Sequence, residues 1–132
     1  MNDLFSHNIN INKNAYLNWR TDETDQAYNM YVIAEGFSNA AKQLITDVLS
    51  DNRDKKADSL IFPILYSVDQ SIELYIKAIL RQIDILNGAK PSNYKTHDIK
   101  KLVDLLRGAV NKIENNRGNL ETHIKPITDY IE

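Results

Sequence analysis

Apolar residues recur every three or four positions along most of the chain, which is the period of an amphipathic α-helix. Four stretches carry this pattern, and they predict helices over residues 22–50, 59–87, 97–114 and 120–132. No credible set of strands accompanies them. Helices joined by short polar breaks predict an all-α fold, an antiparallel bundle of about four helices.

The second predicted helix is apolar over most of its circumference, which is typical of the central helix of a bundle. We place Pro63 near its start, where a missing N–H is harmless, and Asn87-Gly88 at its end as a stop signal. Glu73 and Lys77 stand four apart in the favourable order, which predicts an ion pair at the surface or rim. The stripe predicted to face inward is Leu65, Val68, Ile72, Ile76, Ile79, Ile83 and Leu86.

The two ends of the chain are predicted to differ from this body. Residues 1–20 are rich in asparagine and show no sustained period, which predicts an irregular arm outside a single domain of residues 21–132. The alternation of Ile and Asn at 9–12 also fits a short strand, but one isolated strand has nothing to pair with. The fourth helix reaches Glu132 without a stop signal, which predicts either a truncated C-terminus or a partner at this end.

Composition narrows the class of protein without naming a function. A chain of 132 residues, 42% hydrophobic and 26% charged, is typical of one globular domain. The absence of cysteine excludes a disulfide scaffold, a thiolate nucleophile and a sulfur-ligated zinc site, and it fits a reducing cytosol. No stretch approaches the roughly 20 apolar residues of a membrane helix, and no signal-peptide pattern opens the chain. We therefore expect a cytoplasmic protein that does not bind membranes.

Charge is distributed unevenly along the chain. Residues 1–89 carry 8 Lys and Arg against 12 Asp and Glu, whereas residues 90–125 carry 8 against 4. This asymmetry favours the C-terminal third as the place where an anionic partner binds. The alternative is that two faces of one bundle differ by chance. An isoelectric point near 5.9 does not indicate affinity of the whole protein for nucleic acid.

The common catalytic motifs are absent from the sequence. There is no Gly-rich phosphate loop, no paired-His metal spacing and no Gly-x-Ser-x-Gly elbow. His7, His97 and His123 are far apart, and Glu35 and Glu73 lack the Glu-x-x-His pairs of di-iron bundles. No metal or other cofactor is expected.

Two phrases of the sequence resemble the HEPN superfamily of helical domains. The run Ser71–Leu80, SIELYIKAIL, is followed by a Gly/Pro linker and by Thr96–Leu102, THDIKKL. In that family a central helix with a Glu-Leu-x-x-Lys-Ala-type run leads to a helix that opens with His-Asp-Leu. The resemblance covers about residues 60–106 and implies a domain that acts on or binds RNA or nucleotides in a defence, toxin–antitoxin or stress setting. Ordinary helix chemistry, with Thr96 as a cap, explains the same residues.

Many members of that family are metal-independent ribonucleases, with a signature of Arg, four to six residues, then His. Arg117 and His123 match it with five intervening residues. The resemblance implies that Arg117 holds a phosphate and His123 moves the proton of a ribose 2′-hydroxyl. Lys112 and Lys125 are the neighbouring candidates for RNA binding. In the family, two such motifs commonly meet across a dimer.

The competing hypothesis is a non-catalytic helical bundle that works by protein–protein contact, as a partner, inhibitor or antitoxin-like subunit. The open C-terminal end favours it. The wide apolar surface of the second helix exceeds what its neighbours obviously cover, which predicts a homodimer under either hypothesis. A third class, a small-molecule sensor, requires a polar-lined cavity.

Overall fold

A computed structural model describes residues 9–14, 26–112 and 129 of the chain. These residues form a 3-10 turn at Ile11–Lys13 and three helices, with no strand among them. The helices are α1 (Gln26–Ser50), α2 (Lys56–Leu86) and α3 (Ile99–Asn111). The all-α prediction is confirmed for this part of the chain. Of the predicted fourth helix only Asp129 is described, in helical conformation, so a bundle of four helices stays a prediction.

The predicted asparagine-rich arm is described at residues 9–14. The side-chain oxygen of Asn10 accepts a hydrogen bond from the backbone N–H of Asn12 at 3.1 Å and caps the 3-10 turn. The structure therefore has a 3-10 turn, and not the alternative short strand, at the Ile–Asn alternation. Asparagine favours this outcome because its side chain bonds its own backbone two residues on.

Helices α1 and α2 form an antiparallel pair. The side chain of Gln26, at the start of α1, bonds to Arg81 near the end of α2. At the other end of the pair, Lys56 reaches Asp47 with an Nζ–Oδ1 distance of 3.3 Å. Residue numbers therefore rise along one helix as they fall along the other, as a five-residue connection between two long helices requires.

Small residues make the contact between these two helices. Ala27, Ala34 and Ala41 recur every seven residues on α1, and all three are buried. A seven-residue interval returns side chains to almost the same face of a helix, so the alanines form one narrow stripe toward α2. The buried residues that share the opposing face of α2 are also mostly small: Ser67, Ser71 and Ala78. Such pairs bring two helix axes close together.

Helix α2 begins at Lys56, three residues before its predicted start. Its N-cap is Lys55, with a φ of 52° and no side-chain cap, and the side-chain oxygen of Asn52 accepts from the backbone N–H of Ala57 in the first turn at 2.9 Å. Pro63 consequently lies inside the helix and not near its start, so that interpretation was wrong. Its missing N–H leaves the carbonyl of Ser59 without its usual helical partner, at an exposed position of the helix.

The C-terminal end of α2 follows the predicted stop signal. The helix ends at Leu86, with Asn87 as its C-cap. Gly88 has a φ of +68° and donates its N–H to the carbonyl of Ile85 at 2.9 Å. Glycine adopts this left-handed conformation without the penalty that a β-carbon brings.

The largest deeply buried side chains lie between α2 and α3. Ile76, Leu80 and Leu102 have at most 1% of their surface exposed. Because α2 packs against both α1 and α3, its predicted central position is confirmed. The full buried cluster is Ile76, Leu80, Ile83, Leu102, Val103 and Leu106.

The predicted inward stripe of α2 is wrong in part. Ile76 and Ile83 are buried, but Leu65 and Ile79 are nearly half exposed and Leu86 is 74% exposed. By helical spacing, Ile61, Leu65, Ile79 and Leu86 share one side of α2, which we call the outer stripe. The small residues of α2 face α1, and its buried isoleucines face α3. The four side chains of the outer stripe remain 43–74% exposed among the described residues.

Candidate functional site

The residues predicted to cut and bind RNA fall mostly outside the described part of the chain. Arg117, His123 and Lys125 are all in this position, so their pairing stays a prediction. Lys112 is described: it is exposed and forms the C-cap of α3, donating its backbone N–H to the carbonyl of Ala109 at 3.3 Å. The chemistry that the structure does describe lies at the junction of α2 and α3.

Charged residues are buried along one side of α2. Glu73, Lys77 and Arg81 follow each other at intervals of four, which keeps them on neighbouring parts of the helix surface. Their exposed fractions are 4%, 5% and 8%. Charged side chains are almost never buried to this extent unless they are paired, because desolvation is costly. Their partners therefore define the site.

Glu73 and Lys77 pair directly. Lys77 Nζ donates to Glu73 Oε1 at 2.7 Å, and both side chains are 6% exposed. The predicted pair is confirmed, but its predicted place at the surface or rim is wrong. The pair is buried because the connection between α2 and α3 passes back over this side of α2.

That connection is fixed to α2 by hydrogen bonds in antiparallel order. The backbone N–H of Ser92 and the hydroxyl of Tyr94 both donate to Asp84 Oδ2, at 2.8 and 2.9 Å. Burial, and then the bond to Asp84, raise the pKa of the Tyr94 hydroxyl to about 12. The hydroxyl therefore remains a donor at neutral pH and keeps the connection in place.

His97 ends this run and contacts Glu73. Its Nδ1 lies 3.0 Å from Oε1 and 3.2 Å from Oε2 of the Glu73 carboxylate. The imidazole is 81% exposed although the carboxylate that holds it is buried. One ring nitrogen is thus fixed by the protein while the other remains open to solvent. Such an arrangement can orient a histidine toward a ligand.

Arg81 occupies the same side of α2 with uncharged partners. Its guanidinium donates to the carbonyl of Ser92 at 3.4 Å and to the side-chain oxygen of Gln26. Its Nε is buried and has no hydrogen-bond partner in the described part of the chain. Arg81 therefore ties the start of α1 to the connection between α2 and α3.

Helix α3 begins beside this cluster. Asp98 is its N-cap and accepts the backbone N–H of Lys101 at 3.1 Å. The prediction of Thr96 as the cap was wrong, since the hydroxyl of Thr96 accepts from the N–H of Asp98 instead. The hydrogen bond from Lys101 is the main reason that the pKa of the Asp98 carboxyl is lowered. The helix that was predicted from residue 97 starts at Ile99, which leaves His97 in the connection.

The connection and α3 together form a basic segment, residues 87–112. It carries six Lys and Arg against two Asp, whereas residues 26–86 carry six against eight. The aspartates are partly neutralised, since Asp98 lies 3.3 Å from Lys101 and Asp104 lies 3.8 Å from Arg107. The exposed lysines are Lys90, Lys95, Lys100, Lys101 and Lys112.

A concave feature lies between the other pair of helices, α1 and α2. A groove of about 250 Å³ runs between α1 and α2 and is lined by Ala27, Tyr28, Tyr31, Ala78, Ile79 and Gln82. The ring of Tyr31 packs edge-on against that of Tyr75, with 5.6 Å between centroids. The lining is mainly apolar, so this groove does not supply the polar cavity that a small-molecule sensor requires.

Comparisons with known proteins leave the site to be interpreted from its own geometry. No family model matches the chain, and no curated protein or solved structure shows significant similarity to it. The HEPN resemblance therefore stays a prediction. Among the described residues, no helix has the length and apolar character to cross a membrane, and no three His, Asp or Glu side chains are placed to hold a metal ion.

Proposed function

We propose that this chain is a HEPN-like helical domain that binds RNA or nucleotides through the basic segment. The observation that supports the proposal is the concentration of exposed lysines on residues 87–112, while residues 26–86 have an excess of acidic residues. Lysines on one surface bind a phosphate backbone because binding releases its condensed counterions. Because the whole chain has a net charge of −2, RNA should bind at the basic segment and not at the acidic residues 26–86.

The HEPN resemblance adds a catalytic extension to this proposal. Arg117 and His123 follow the basic segment in sequence, and with Lys125 they are the residues that we propose for phosphate binding and proton transfer. The reaction would be metal-independent cleavage of RNA, in a defence, toxin–antitoxin or stress setting. The test is cleavage of single-stranded RNA in EDTA. Cleavage by the wild type that is lost in His123→Ala supports this extension, provided that the circular dichroism spectrum of the variant is unchanged.

RNA binding is tested by removing lysines in matched pairs. Lys95→Gln with Lys100→Gln removes two charges from the basic segment, and Lys42→Gln with Lys55→Gln removes two exposed charges elsewhere. We expect the first pair to reduce the slope of log affinity against log salt by about 1.4 for single-stranded RNA. The second pair should leave both affinity and slope unchanged. Equal effects of the two pairs in fluorescence anisotropy would contradict binding at the basic segment.

The outer stripe favours a second candidate function, a helical protein that acts by protein–protein contact. Four apolar residues on one side of α2 are 43–74% exposed, and exposed apolar surface favours an interface. We propose a second copy of the chain as the partner. This assembly is compatible with RNA binding, because the outer stripe and the buried charged residues are on different sides of α2.

A further inference from the structure

We propose that His97 is a proton-transfer residue for RNA, with Glu73 as its positioning residue and Lys77 as the residue that holds Glu73. This inference rests on the proposed RNA-binding function and assigns the proton of the 2′-hydroxyl to His97 in place of His123. The observation behind the proposal is the geometry of His97. Its imidazole is exposed to solvent, whereas the Glu73 carboxylate, whose two oxygens both contact Nδ1 of His97, is buried.

The hydrogen bonds determine which ring nitrogen is open. Lys77 has no acceptor on its ammonium and donates to Glu73 Oε1. An ionised carboxylate can only accept hydrogen bonds. Nδ1 of His97 is therefore the donor in its contact with the Glu73 carboxylate. Nδ1 therefore carries a hydrogen in the neutral ring, and Nε2 carries the lone pair. A carboxylate that fixes the tautomer in this way is what a histidine base needs.

The surroundings of His97 favour a phosphate ester as the substrate. Lys95 and Lys100 flank it in sequence and are exposed, and the charge of Arg81 lies under the same connection. In the proposed step, Nε2 of His97 takes the proton of a ribose 2′-hydroxyl, whose oxygen attacks the adjacent phosphorus. The bond from phosphorus to the 5′-oxygen breaks, and water protonates that oxygen. The products are a 2′,3′-cyclic phosphate and a 5′-hydroxyl end, and the imidazolium returns its proton to solvent.

The experiment measures binding and cleavage of single-stranded RNA in EDTA for the wild type and four variants. His97→Ala should lower the cleavage rate by about 10²–10⁴-fold, the usual contribution of a proton-transfer group, and leave RNA affinity unchanged. Free imidazole should restore part of the rate, which a merely structural role would not permit. Glu73→Gln should lower the rate about tenfold because the carboxylate that holds Nδ1–H is replaced by one uncharged amide oxygen, and circular dichroism checks that this variant, which leaves Lys77 without its anionic partner, is folded. Thr96→Ala controls for disturbance of the connection, and His123→Ala separates the two histidines.

The outcomes distinguish this inference from the proposed function. A wild type that neither binds nor cleaves RNA overturns the proposed function and this inference with it. A wild type that binds RNA without cleaving it overturns the role of His97 and the catalytic extension at His123, and leaves RNA binding by the basic segment standing. Cleavage by His97→Ala at the wild-type rate also overturns the role of His97. The same holds if this variant loses cleavage in proportion to its loss of RNA affinity and imidazole does not restore the rate.

Discussion

At the scale of single residues, the buried ion pair on α2 depends on both of its members. Lys77 Nζ and Glu73 Oε1 are 2.7 Å apart, and the two side chains are almost completely removed from solvent. Attraction between such charges has to offset the cost of desolvating both. Removal of one member leaves the other charged and buried, which costs more than the intact pair contributes.

We therefore predict that Lys77→Met lowers the free energy of unfolding by about 3–5 kcal/mol. The double variant Glu73→Gln with Lys77→Met should be less destabilised than this single variant, because no charge is then left unpaired. Urea unfolding followed by circular dichroism measures both. Lys42→Met, at an exposed position of α1, is the control. A single variant as stable as this control would contradict the account of the pair.

Asp98 makes a pH-dependent contribution at the start of α3. Its pKa is lowered in the folded state, chiefly by the backbone N–H of Lys101. The stabilisation is therefore complete above the ordinary value of 3.8 and is lost as the pH falls through the folded-state pKa. Asp98→Asn keeps an oxygen that can cap the helix but does not titrate.

We predict that the difference in stability between wild type and Asp98→Asn becomes smaller as the pH falls from 5 to 3. Thermal unfolding over this range measures it. The pKa of Asp51, which its hydrogen bond to Arg53 lowers to about 2, contributes the same acid dependence to both proteins. A constant difference across the range would show that the Asp98 cap does not depend on its charge.

At the scale of the elements, the close contact of α1 and α2 depends on the absence of large side chains. Ala34 is completely buried in the middle of the alanine stripe. A larger side chain at this position has to separate the two helices or adopt a strained rotamer. Ala40 lies on the exposed side of the same helix, where added methyl groups meet solvent.

Ala34→Leu is therefore expected to lower the free energy of unfolding by about 1–3 kcal/mol, the usual cost of overpacking. Ala40→Leu should stay within about 0.5 kcal/mol of the wild type. Chemical unfolding with two-state analysis measures both values. If the two variants were equally stable, the alanine stripe would not determine how closely the helices pack.

The elements also show how far the sequence predicts this fold. The end of α2 was predicted to within one residue because Asn87-Gly88 is a local signal that acts through backbone conformation. The start of α2 was not predicted. Pro63 was interpreted as a first-turn proline, and the bond from Ala57 to Asn52 that helps the helix begin lies outside the apolar pattern. The wrong core stripe has a similar cause: a helix with apolar residues on most sides does not indicate which side its neighbours cover.

The candidate site was predicted only in fragments. The Glu73–Lys77 spacing is local and was recognised, but its burial depends on where the connection after α2 runs. The contacts of Glu73 with His97 and of Arg81 with Ser92 join residues 24 and 11 positions apart, which periodicity does not show. A signal was nevertheless present: Glu73, Lys77 and Arg81 stand at intervals of four in a part of α2 that is otherwise mostly apolar.

At the scale of the whole molecule, two surfaces of different character lie around α2. The basic segment carries exposed lysines, and the outer stripe carries exposed apolar residues. We predict a homodimer through the outer stripe, with a mass of twice the 15.2 kDa chain in light scattering. Leu65→Gln with Ile79→Gln should shift the protein to the monomer mass. The matched change Ile33→Gln, at an exposed position of α1, should not. A monomeric wild type at micromolar concentration would contradict the dimer.

The measurement that tests the central claim most directly is the salt dependence of RNA affinity for the wild-type protein. If Lys90, Lys95, Lys100 and Lys112 each neutralise one phosphate of single-stranded RNA, log affinity should fall against log salt with a slope of about −3, or a steeper one where Arg117 and Lys125 also bind. That result, with the smaller slope of the variant Lys95→Gln with Lys100→Gln, would establish the basic segment as a phosphate-binding surface. Affinity that does not change with salt, or no binding even at low salt, would contradict an RNA-binding function for this domain.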